Sequence, residues 1–334
     1  MKELTIKKNE ADQRVDKFLS KYLNKASKSF IYKMMRKKNI TLNGKKMDGN
    51  EKLNVGDVIN IYFSDETIEK FSSGIKPKDS LNYFSDISGI DKNKIIFEDE
   101  NIIFYNKPAG MLSQKATVND ISANEHLIKY MIEKKEICEE DFKTFKPSVC
   151  NRLDRNTSGL LIFGKSLLGL QSMAELLKSR SLHKYYLCIV AGKITEEKEI
   201  SGYLKKDNKS NIVSISKDNK NGDLIRTKYV PVANNEKYTL LKVLLITGKT
   251  HQIRAHLASI DHPIIGDAKY GDSKTNNQIK NKYGLNRQLL HSYEIFFESV
   301  ENKLSYLTDK TFKAEIDKIF ADILKGEDLY GYLE

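Results

Sequence analysis

Residues 151–166 read NRLDRNTSGLLIFGKS, a polar turn followed by a run of apolar residues. The run predicts a buried strand, and Asp154 then lies at the lip of that strand, flanked by Arg152 and Arg155. A carboxylate among guanidinium groups should stay ionised, and an ionised, partly desolvated carboxylate can act as a nucleophile or a general base. Spacing alone leaves a second interpretation open, in which a structural Arg–Asp ion pair caps the turn.

The segments around this stretch predict a sheet. Residues 95–111 read IIFEDENIIFYNKPAGM, two apolar runs around Asp-Glu-Asn, which is typical of a hairpin. Further strands are predicted at 183–192, 212–217, 226–233, 238–248 and 291–297, and helices at 119–140, 167–179, 251–260 and 310–325. Because strands joined by hairpins predominate, we predict an α+β fold built on a mostly antiparallel mixed sheet.

The N-terminal part predicts a small α/β unit of its own. Residues 14–24 read RVDKFLSKYLN, whose apolar side chains recur at helical spacing. Ser27 is a suitable N-cap for a second helix, and strand-like residues follow at 40–47 and 53–63. We therefore divide the chain into an N-terminal domain at 12–63, a linker at 64–92 and a catalytic domain at 93–330.

Composition narrows the class of protein. The 334 residues are 40% hydrophobic, contain no apolar run of membrane-spanning or signal-peptide length, and include three well-separated cysteines. Neither a disulfide framework nor a cysteine metal site is expected, and no metal-binding, dinucleotide-binding or phosphate-loop motif occurs. We expect a cytoplasmic protein that needs no metal or cofactor, and a monomer because no sustained heptad appears.

The positive charge is concentrated at one end of the chain. The net charge is +11, and residues 1–63 hold 15 Lys and Arg against 7 Asp and Glu, a net of +8. Such a concentration favours a polyanionic partner such as nucleic acid. A surface that only keeps the protein soluble is the alternative.

A second informative stretch, residues 247–271, reads TGKTHQIRAHLASIDHPIIGDAKYG. A glycine turn leads into a short helix that carries Arg254 near its start, and a glycine-rich loop follows that can approach a ligand through its backbone. Taken one at a time, His251 and His256 are more simply explained as half-buried structural histidines.

These stretches together resemble the RluA-type family of pseudouridine synthases, which isomerise uridines in large-subunit ribosomal RNA and transfer RNA. The resemblance covers about residues 94–300 and rests on NKPAGM at 106–111, RLDRNTSGLLIFGKS at 152–166, KYYLCIVAG at 184–192 and the 247–271 stretch, with LLHSYEIFF near the end. It implies an RNA substrate, an isomerase activity and no cofactor.

The resemblance also implies roles for single residues. Asp154 would be the nucleophile, Arg254 would pair with it and hold it ionised, and Tyr186 would stack on the flipped base and assist proton removal. Arg152 would insert into the RNA stack, and Arg155 and Lys107 would also contact RNA. Where the family often has histidine before the RLD step this chain has Asn151, which can form hydrogen bonds but carries no charge.

Residues 12–63 resemble the RNA-binding domain of ribosomal protein S-four type, through RVDKFL, SKSFIYKMMRKKNITLNGK and LNVGDVI in that order. In that family the second helix and the following loop present basic residues to structured RNA. The resemblance implies RNA contacts by Lys28, Lys33, Arg36, Lys37 and Lys45.

The function expected is therefore an RNA pseudouridine synthase that acts on large-subunit (23S) ribosomal RNA, with base flipping and an Asp nucleophile. A synthase directed at transfer RNA and a non-catalytic RNA-binding ribosome-assembly factor are the alternatives. A nucleoside hydrolase or glycosylase would also use a carboxylate at a glycosidic carbon, but it would release free base. The sequence does not choose between attack of Asp154 on the anomeric carbon and proton removal to give a glycal.

Overall fold

The computed structural model describes residues 1–72, 83–207, 212–216 and 222–329. The helices are α1 (Val15–Tyr22), α2 (Lys28–Arg36), α3 (Asp65–Phe71), α4 (Ala123–Glu133), α5 (Leu167–Ser179), α6 (Gln252–Ala258), α7 (Ser273–Tyr283) and α8 (Lys318–Gly326). The strands are β1 (Lys2–Thr5), β2 (Ile40–Leu42), β3 (Val58–Ile61), β4 (Ile95–Glu98), β5 (Ile102–Lys107), β6 (Ser148–Val149), β7 (Ser158–Gly164), β8 (Leu182–Ala191), β9 (Lys198–Asp207), β10 (Ile212–Ser216), β11 (Asp223–Asn234), β12 (Tyr238–Leu245), β13 (Leu290–Phe297) and β14 (Thr311–Lys313).

One large sheet organises the part of the chain after residue 94. Its strand order is β10-β9-β11-β12-β8-β13-β7-β5-β4, with β14 beside β13 and β6 beside β7. The β13–β7 pair is parallel and the other pairs of this sheet are antiparallel. The predicted α+β fold with a mostly antiparallel mixed sheet is confirmed.

The apolar run of β7 is explained by burial on both faces of the sheet. Leu161 and Phe163 pack into the cluster that includes side chains of α4 and α6. Leu160 and Ile162 alternate with them and pack into a second cluster with side chains of α5. Burial of each such side chain stabilises the fold by roughly 1.5–3 kcal/mol. The two layers hold the N-terminal end of β7, where the Asp154 loop arrives, in a fixed place.

A glycine permits the close approach of β7 and β13. Gly159 has φ +105, and a Cβ built on it would lie 2.1 Å from the carbonyl oxygen of Ser292. No side chain fits at that distance, so the parallel pairing of β7 with β13 at this level requires glycine.

The N-terminal unit is a three-stranded sheet, β1-β3-β2, packed against α1 and α2. The predicted N-cap is present, since the backbone N–H of Phe30 donates to Ser27 Oγ at 3.2 Å. Helix α3 lies within the predicted linker, and its Ile68 is buried in the core of this unit. Residues 73–82 of that linker lie outside the described residues.

Side chains also join this unit to the rest of the protein. Lys303 Nζ donates to Asp12 Oδ2 at 2.5 Å, and Lys7 Nζ donates to Asp141 Oδ1 at 2.9 Å. The buried hydroxyl of Thr144 donates to Glu10. These polar contacts fix where the basic N-terminal unit sits relative to the large sheet.

Several elements differ from the predictions where the apolar pattern is weak or misleading. Strand β9 and helix α7 were not predicted; five of the ten residues of β9 are charged, and α7 has Ile279 as its one buried residue. The closing helix, predicted over 310–325, begins only at Lys318, because 311–313 pair with β13 as strand β14. Among the described residues, no helix is long and apolar enough to cross a membrane.

Candidate active site

A cleft of about 1180 Å³ opens where the Asp154 loop, the start of β8 and the segment before α6 meet. Asp154, Tyr186 and Arg254, predicted from separate stretches, all line this cleft, as do Arg152 and Arg155. Ten lysines and arginines line it in total, against two aspartates. The structure therefore gathers the predicted catalytic residues in a strongly basic cleft, which suits a polyanionic ligand.

Hydrogen bonds to neighbouring backbone hold the Asp154 loop. The side chain of Asn151 accepts from the N–H of Ile162 at 2.7 Å and donates to the carbonyl of Leu160 at 3.4 Å, both on β7. Ser113 Oγ accepts from the N–H of Leu153 and donates to its carbonyl, each at 2.9 Å. Asn151 thus anchors the loop to the strand, a task that an uncharged amide performs with both of its polar atoms.

Lys107 has a structural position that differs from the predicted RNA contact. It is fully buried, and its Nζ donates to the carbonyls of Pro108 at 3.0 Å, Met111 at 2.8 Å and Arg155 at 3.2 Å. Burial lowers the pKa of Lys107 to about 7, although Asp154 opposes that shift. Since the amine is enclosed by three carbonyls, Lys107 joins the NKPAGM segment to the Asp154 loop and exposes no surface in this structure for the predicted RNA contact.

An ion-paired chain of three side chains aims the nucleophile candidate. Arg254 Nη1 donates to Asp154 Oδ2 at 2.9 Å, while Arg254 Nε and Nη2 donate to the two oxygens of Asp267 at 2.7 and 2.9 Å. Burial alone would lower the pKa of Arg254, but Asp267 and Asp154 raise it. Burial alone would raise the pKa of Asp267, but its hydrogen bonds from Arg254 lower it. The guanidinium is thereby fixed as a cation that presents one N–H to Asp154.

Asp267 was not among the predicted site residues. It is fully buried, and its Oδ1 also accepts from the backbone N–H of Lys269 at 2.9 Å and of Tyr270 at 3.2 Å. The preceding Gly266 has φ +76, and a Cβ there would lie 2.1 Å from the carbonyl of Arg287. The glycine-rich loop after α6 therefore places a carboxylate behind Arg254; no sequence signal marked Asp267 for that role.

Tyr186 also lines the cleft. It is 5% exposed, and burial raises the pKa of its phenol to about 12, with a hydrogen bond to Ser292 opposing the shift. Tyr185 points away, because its ring lies 4.5 Å from Lys242 Nζ on the other face of the sheet. The phenol of Tyr186 is therefore neutral at pH 7.

Two arginines and one lysine of the cleft have no carboxylate partner among the described residues. Arg152 and Arg155 are exposed at the cleft, and among the described residues no carboxylate pairs with either. Lys184 is a cleft residue that the sequence did not indicate; it is two residues before Tyr186 on the same face of β8 and also lacks a carboxylate partner within the described chain. Burial lowers the pKa of Lys184, as expected for an ammonium group without an anion beside it.

His251, interpreted from the sequence as a structural histidine, lines the cleft beside Asp154. Its Nε2 lies 3.9 Å from Asp154 Oδ2, and its Nδ1 lies 3.0 Å from the hydroxyl of Tyr270. Its backbone is left-handed, with φ 54. His256, in contrast, is on the buried face of α6 with its Nδ1 2.8 Å from Thr227 Oγ1, and it does not line the cleft.

The five basic residues predicted in the N-terminal unit share one environment. All are exposed, and none forms an ion pair with a carboxylate of the described residues: Lys28, Lys33, Arg36, Lys37 and Lys45. They remain available to an external anion. Within the described ranges, no group of three or more His, Cys, Asp or Glu side chains could hold a metal ion.

Comparison with known proteins agrees with this geometry. Residues 101–259 match the family model described as RNA pseudouridylate synthase, and residues 13–59 match that of the S4 domain. A ribosomal large subunit pseudouridine synthase C of Buchnera aphidicola subsp. Baizongia pistaciae is 33% identical over 97% of this chain and 96% of its own. An RNA pseudouridine synthase of Mycoplasma capricolum, described as uncharacterized, is 30% identical over 93% and 96%.

A solved structure shares the fold. Human RNA pseudouridylate synthase domain containing 4 aligns with a TM-score of 0.55 at 18% identity, covering 75% of this chain and 96% of that one. The sequence matches extend over nearly the whole chain and include the cleft residues from Asp154 to Arg254. The family expected from the motifs is confirmed, and the chain belongs to the RNA pseudouridylate synthase family: it is an RNA pseudouridine synthase that carries an S4 domain near its N-terminus.

Proposed function

We propose that this protein isomerises specific uridines of large-subunit ribosomal RNA, with Asp154 as the nucleophile and with the target base flipped into the cleft. The observation that carries the proposal is the ion-paired chain Asp154–Arg254–Asp267, whose first two members line a basic cleft. Relatives named for the large ribosomal subunit support the choice of RNA. The expectations that the protein is monomeric and cytoplasmic stay predictions.

The reaction needs a carboxylate but no redox group. The bond from C1′ of the ribose to N1 of uracil breaks, the uracil turns, C1′ bonds to C5, and the C5 proton is lost while N1 gains one. No electrons are gained or lost overall. Asp154, 27% exposed at its side chain, either attacks C1′ or removes the C2′ proton, and both steps need the oxygen that Arg254 aims.

Base flipping costs a few kcal/mol, which contacts in the cleft must offset. The ring of Tyr186 provides a stacking surface, and stacking of a base on an aromatic ring is worth roughly 1–3 kcal/mol. Arg152 then enters the space that the uridine leaves; its exposure beside Asp154 supports this role. Because the phenol of Tyr186 is neutral at pH 7, it acts on a proton only in concert with another group.

The phosphates of the strand need cations along the cleft. Lys184 lies two residues before Tyr186 on one face of β8, which places their Cα atoms about 7 Å apart. A backbone phosphate next to the flipped nucleotide would give the half-buried ammonium group of Lys184 the anion that the protein does not provide. Arg155 extends the same basic surface on the side of the Asp154 loop.

The N-terminal unit contributes affinity for structured RNA. Replacing Lys33, Arg36 and Lys37 together by glutamine should weaken RNA binding and lower the salt dependence of Kd by roughly two to three units of slope, because phosphate contacts dominate both. Lys280→Gln, on the exposed face of α7, is the control and should change neither. An unchanged slope in the triple variant would contradict the assigned role.

The function itself is tested by mapping pseudouridines in total RNA, with carbodiimide adducts and primer extension, from cells with and without the gene. We expect specific stops in large-subunit ribosomal RNA to disappear and to return with the wild-type gene but not with the Asp154→Asn variant. Stops lost only from transfer RNA would overturn the substrate. No lost stop, with the gene normally expressed, would favour a non-catalytic RNA-binding protein.

A further inference from the structure

We infer that His251 is a further catalytic residue, a neutral hydrogen-bond donor whose Nε2–H binds the O2 carbonyl of the target uracil as the base leaves C1′. This inference rests on the proposed function, because it places the ribose of the target uridine at Asp154. Three independent observations support it: the backbone of His251, its hydrogen bond to Tyr270 and its distance from Asp154.

The backbone of His251 is in a conformation that side chains rarely adopt. Its φ of 54 and ψ of 16 are left-handed, directly before the first residue of α6. A residue with a Cβ adopts this conformation at a cost of roughly 1–2 kcal/mol, whereas glycine adopts it readily. Eight other non-glycine residues of the described chain also have positive φ, so the conformation supports the inference because at His251 it occurs beside Asp154. Strained backbone of this kind is typical of functional sites.

The hydrogen bonds around Tyr270 favour one tautomer of His251. The backbone N–H of Val213 donates to the hydroxyl oxygen of Tyr270 at 2.9 Å. We assign the hydroxyl proton to Nδ1 of His251, 3.0 Å away, which is the one other hydrogen-bond partner of that hydroxyl among the described residues. With Nδ1 as acceptor, the neutral ring carries its hydrogen on Nε2. The side of the ring that faces Asp154 is therefore a donor.

The donor has no acceptor of its own. Nε2 is 3.9 Å from Asp154 Oδ2, longer than a hydrogen bond, and within the described residues no other acceptor is recorded for it. An acceptor oxygen of the bound base that approaches Nε2 to about 3 Å from the cleft, on the side away from the carboxylate, satisfies this donor. With the ribose at Asp154, O2 of uracil, two bonds from N1, is the acceptor that we assign to it.

The charges around the ring keep it neutral. Burial lowers the pKa of His251; the attraction of Asp154 opposes this shift, Arg254 and Lys269 reinforce it, and Asp267 opposes it. When the bond from C1′ to N1 breaks, its electron pair stays on uracil and is shared with O2. A fixed neutral donor stabilises that developing charge without giving up a proton. A neutral His251 also leaves the ion pair of Arg254 with Asp154 undisturbed, whereas a protonated His251 would compete with Arg254 for the carboxylate.

The first test pairs His251 variants with a substrate that lacks the acceptor. The probe is a synthetic RNA spanning a uridine found by the mapping above, made with uridine or with 2-thiouridine at the target, because sulfur is a poor hydrogen-bond acceptor. His251→Leu should lower the single-turnover rate on uridine by about 10- to 100-fold with Kd unchanged. On 2-thiouridine the same substitution should change the rate less than two-fold.

Further variants separate the donor from a structural role. His251→Gln, whose amide can donate from a similar place, should recover part of the rate, and His256→Gln, on the same helix but outside the cleft, should leave it unchanged. If His251→Leu slows both substrates equally, O2 is not the acceptor and the inference is wrong. A wild-type protein that converts no RNA would instead overturn the proposed function.

The second test needs no substrate. Nitrogen-15 spectra of the histidine rings at pH 7 should show His251 neutral with its hydrogen on Nε2, and Tyr270→Phe should change that tautomer ratio. Detection of an imidazolium, or of the Nδ1–H tautomer, in the wild-type protein would overturn the inference whatever the turnover.

Discussion

Asp267 offers the sharpest test of how the site is built, because it touches Arg254 but not the cleft. We predict that Asp267→Asn slows the reaction without weakening RNA binding. Asparagine keeps an oxygen for the backbone N–H groups of Lys269 and Tyr270. Its amide N–H₂ replaces the oxygen that now accepts from Arg254 Nε at 2.7 Å, so two donors face each other.

The magnitude follows from these contacts. One hydrogen bond between charged groups is lost, worth about 1.5–3 kcal/mol, while Asp154 still compensates part of the charge of Arg254. Breaking a buried ion pair outright costs about 3–5 kcal/mol, so we expect unfolding to become easier by about 2–3 kcal/mol. If the orientation of the Arg254 guanidinium depends on its bonds to both Asp267 and Asp154, the single-turnover rate falls by about 10- to 100-fold.

Three measurements on one variant separate the possible outcomes. Conversion of an unmodified ribosomal RNA transcript gives the rate under single-turnover conditions, filter binding gives Kd, and urea unfolding gives stability. Glu199→Gln breaks an exposed pair with Arg226 on the same sheet and should change none of them by much. A normal rate in Asp267→Asn, together with the expected loss of stability, would show that Asp267 only supports the fold.

Three further predictions concern the nucleophile, the cleft and the buried histidines. Asp154→Asn should abolish single-turnover conversion with RNA affinity nearly intact, because shape is kept and charge is lost; turnover at the wild-type rate would sink the assignment. Lys184→Gln should reduce the slope of log Kd against log salt by about one, whereas the control Lys280→Gln should leave the slope unchanged. Equal slopes for the two variants would show that Lys184 does not contact a phosphate of the RNA. Burial lowers the pKa of His256 and of His291 to about 4, so each histidine binds a proton more weakly in the folded protein than in the unfolded chain. Protonation of the unfolded chain therefore destabilises the fold as the pH falls from about 6.5 towards 4. Lowering the pH from 7 to 5 should reduce the free energy of unfolding by about 2 kcal/mol for each histidine. In urea titrations, His256→Gln should remove the part of this pH dependence that comes from His256. An unchanged pH dependence in that variant would contradict the neutral buried state of His256.

Local patterns predicted much of the fold correctly. Ser27 caps α2 as its residue type and position indicated, and the apolar runs around Asp-Glu-Asn form the β4–β5 hairpin. These signals are local: a cap needs one side chain and one backbone N–H a few residues away, and a hairpin needs a turn between two adjacent strands. Elements whose stability comes from distant partners, such as the charged strand β9, carry no comparable signal.

The sequence by itself determined the family, the order of the motifs and the identity of Asp154, Arg254 and Tyr186 as the residues to test. It did so because each lies in a stretch whose residue types and spacing are specific. Only the tertiary structure decided that Lys107 is enclosed by carbonyls, that Asp267 stands behind Arg254, and that His251 faces Asp154. Burial and ion pairing depend on which distant segments the sheet brings together, and no local pattern contains those distances.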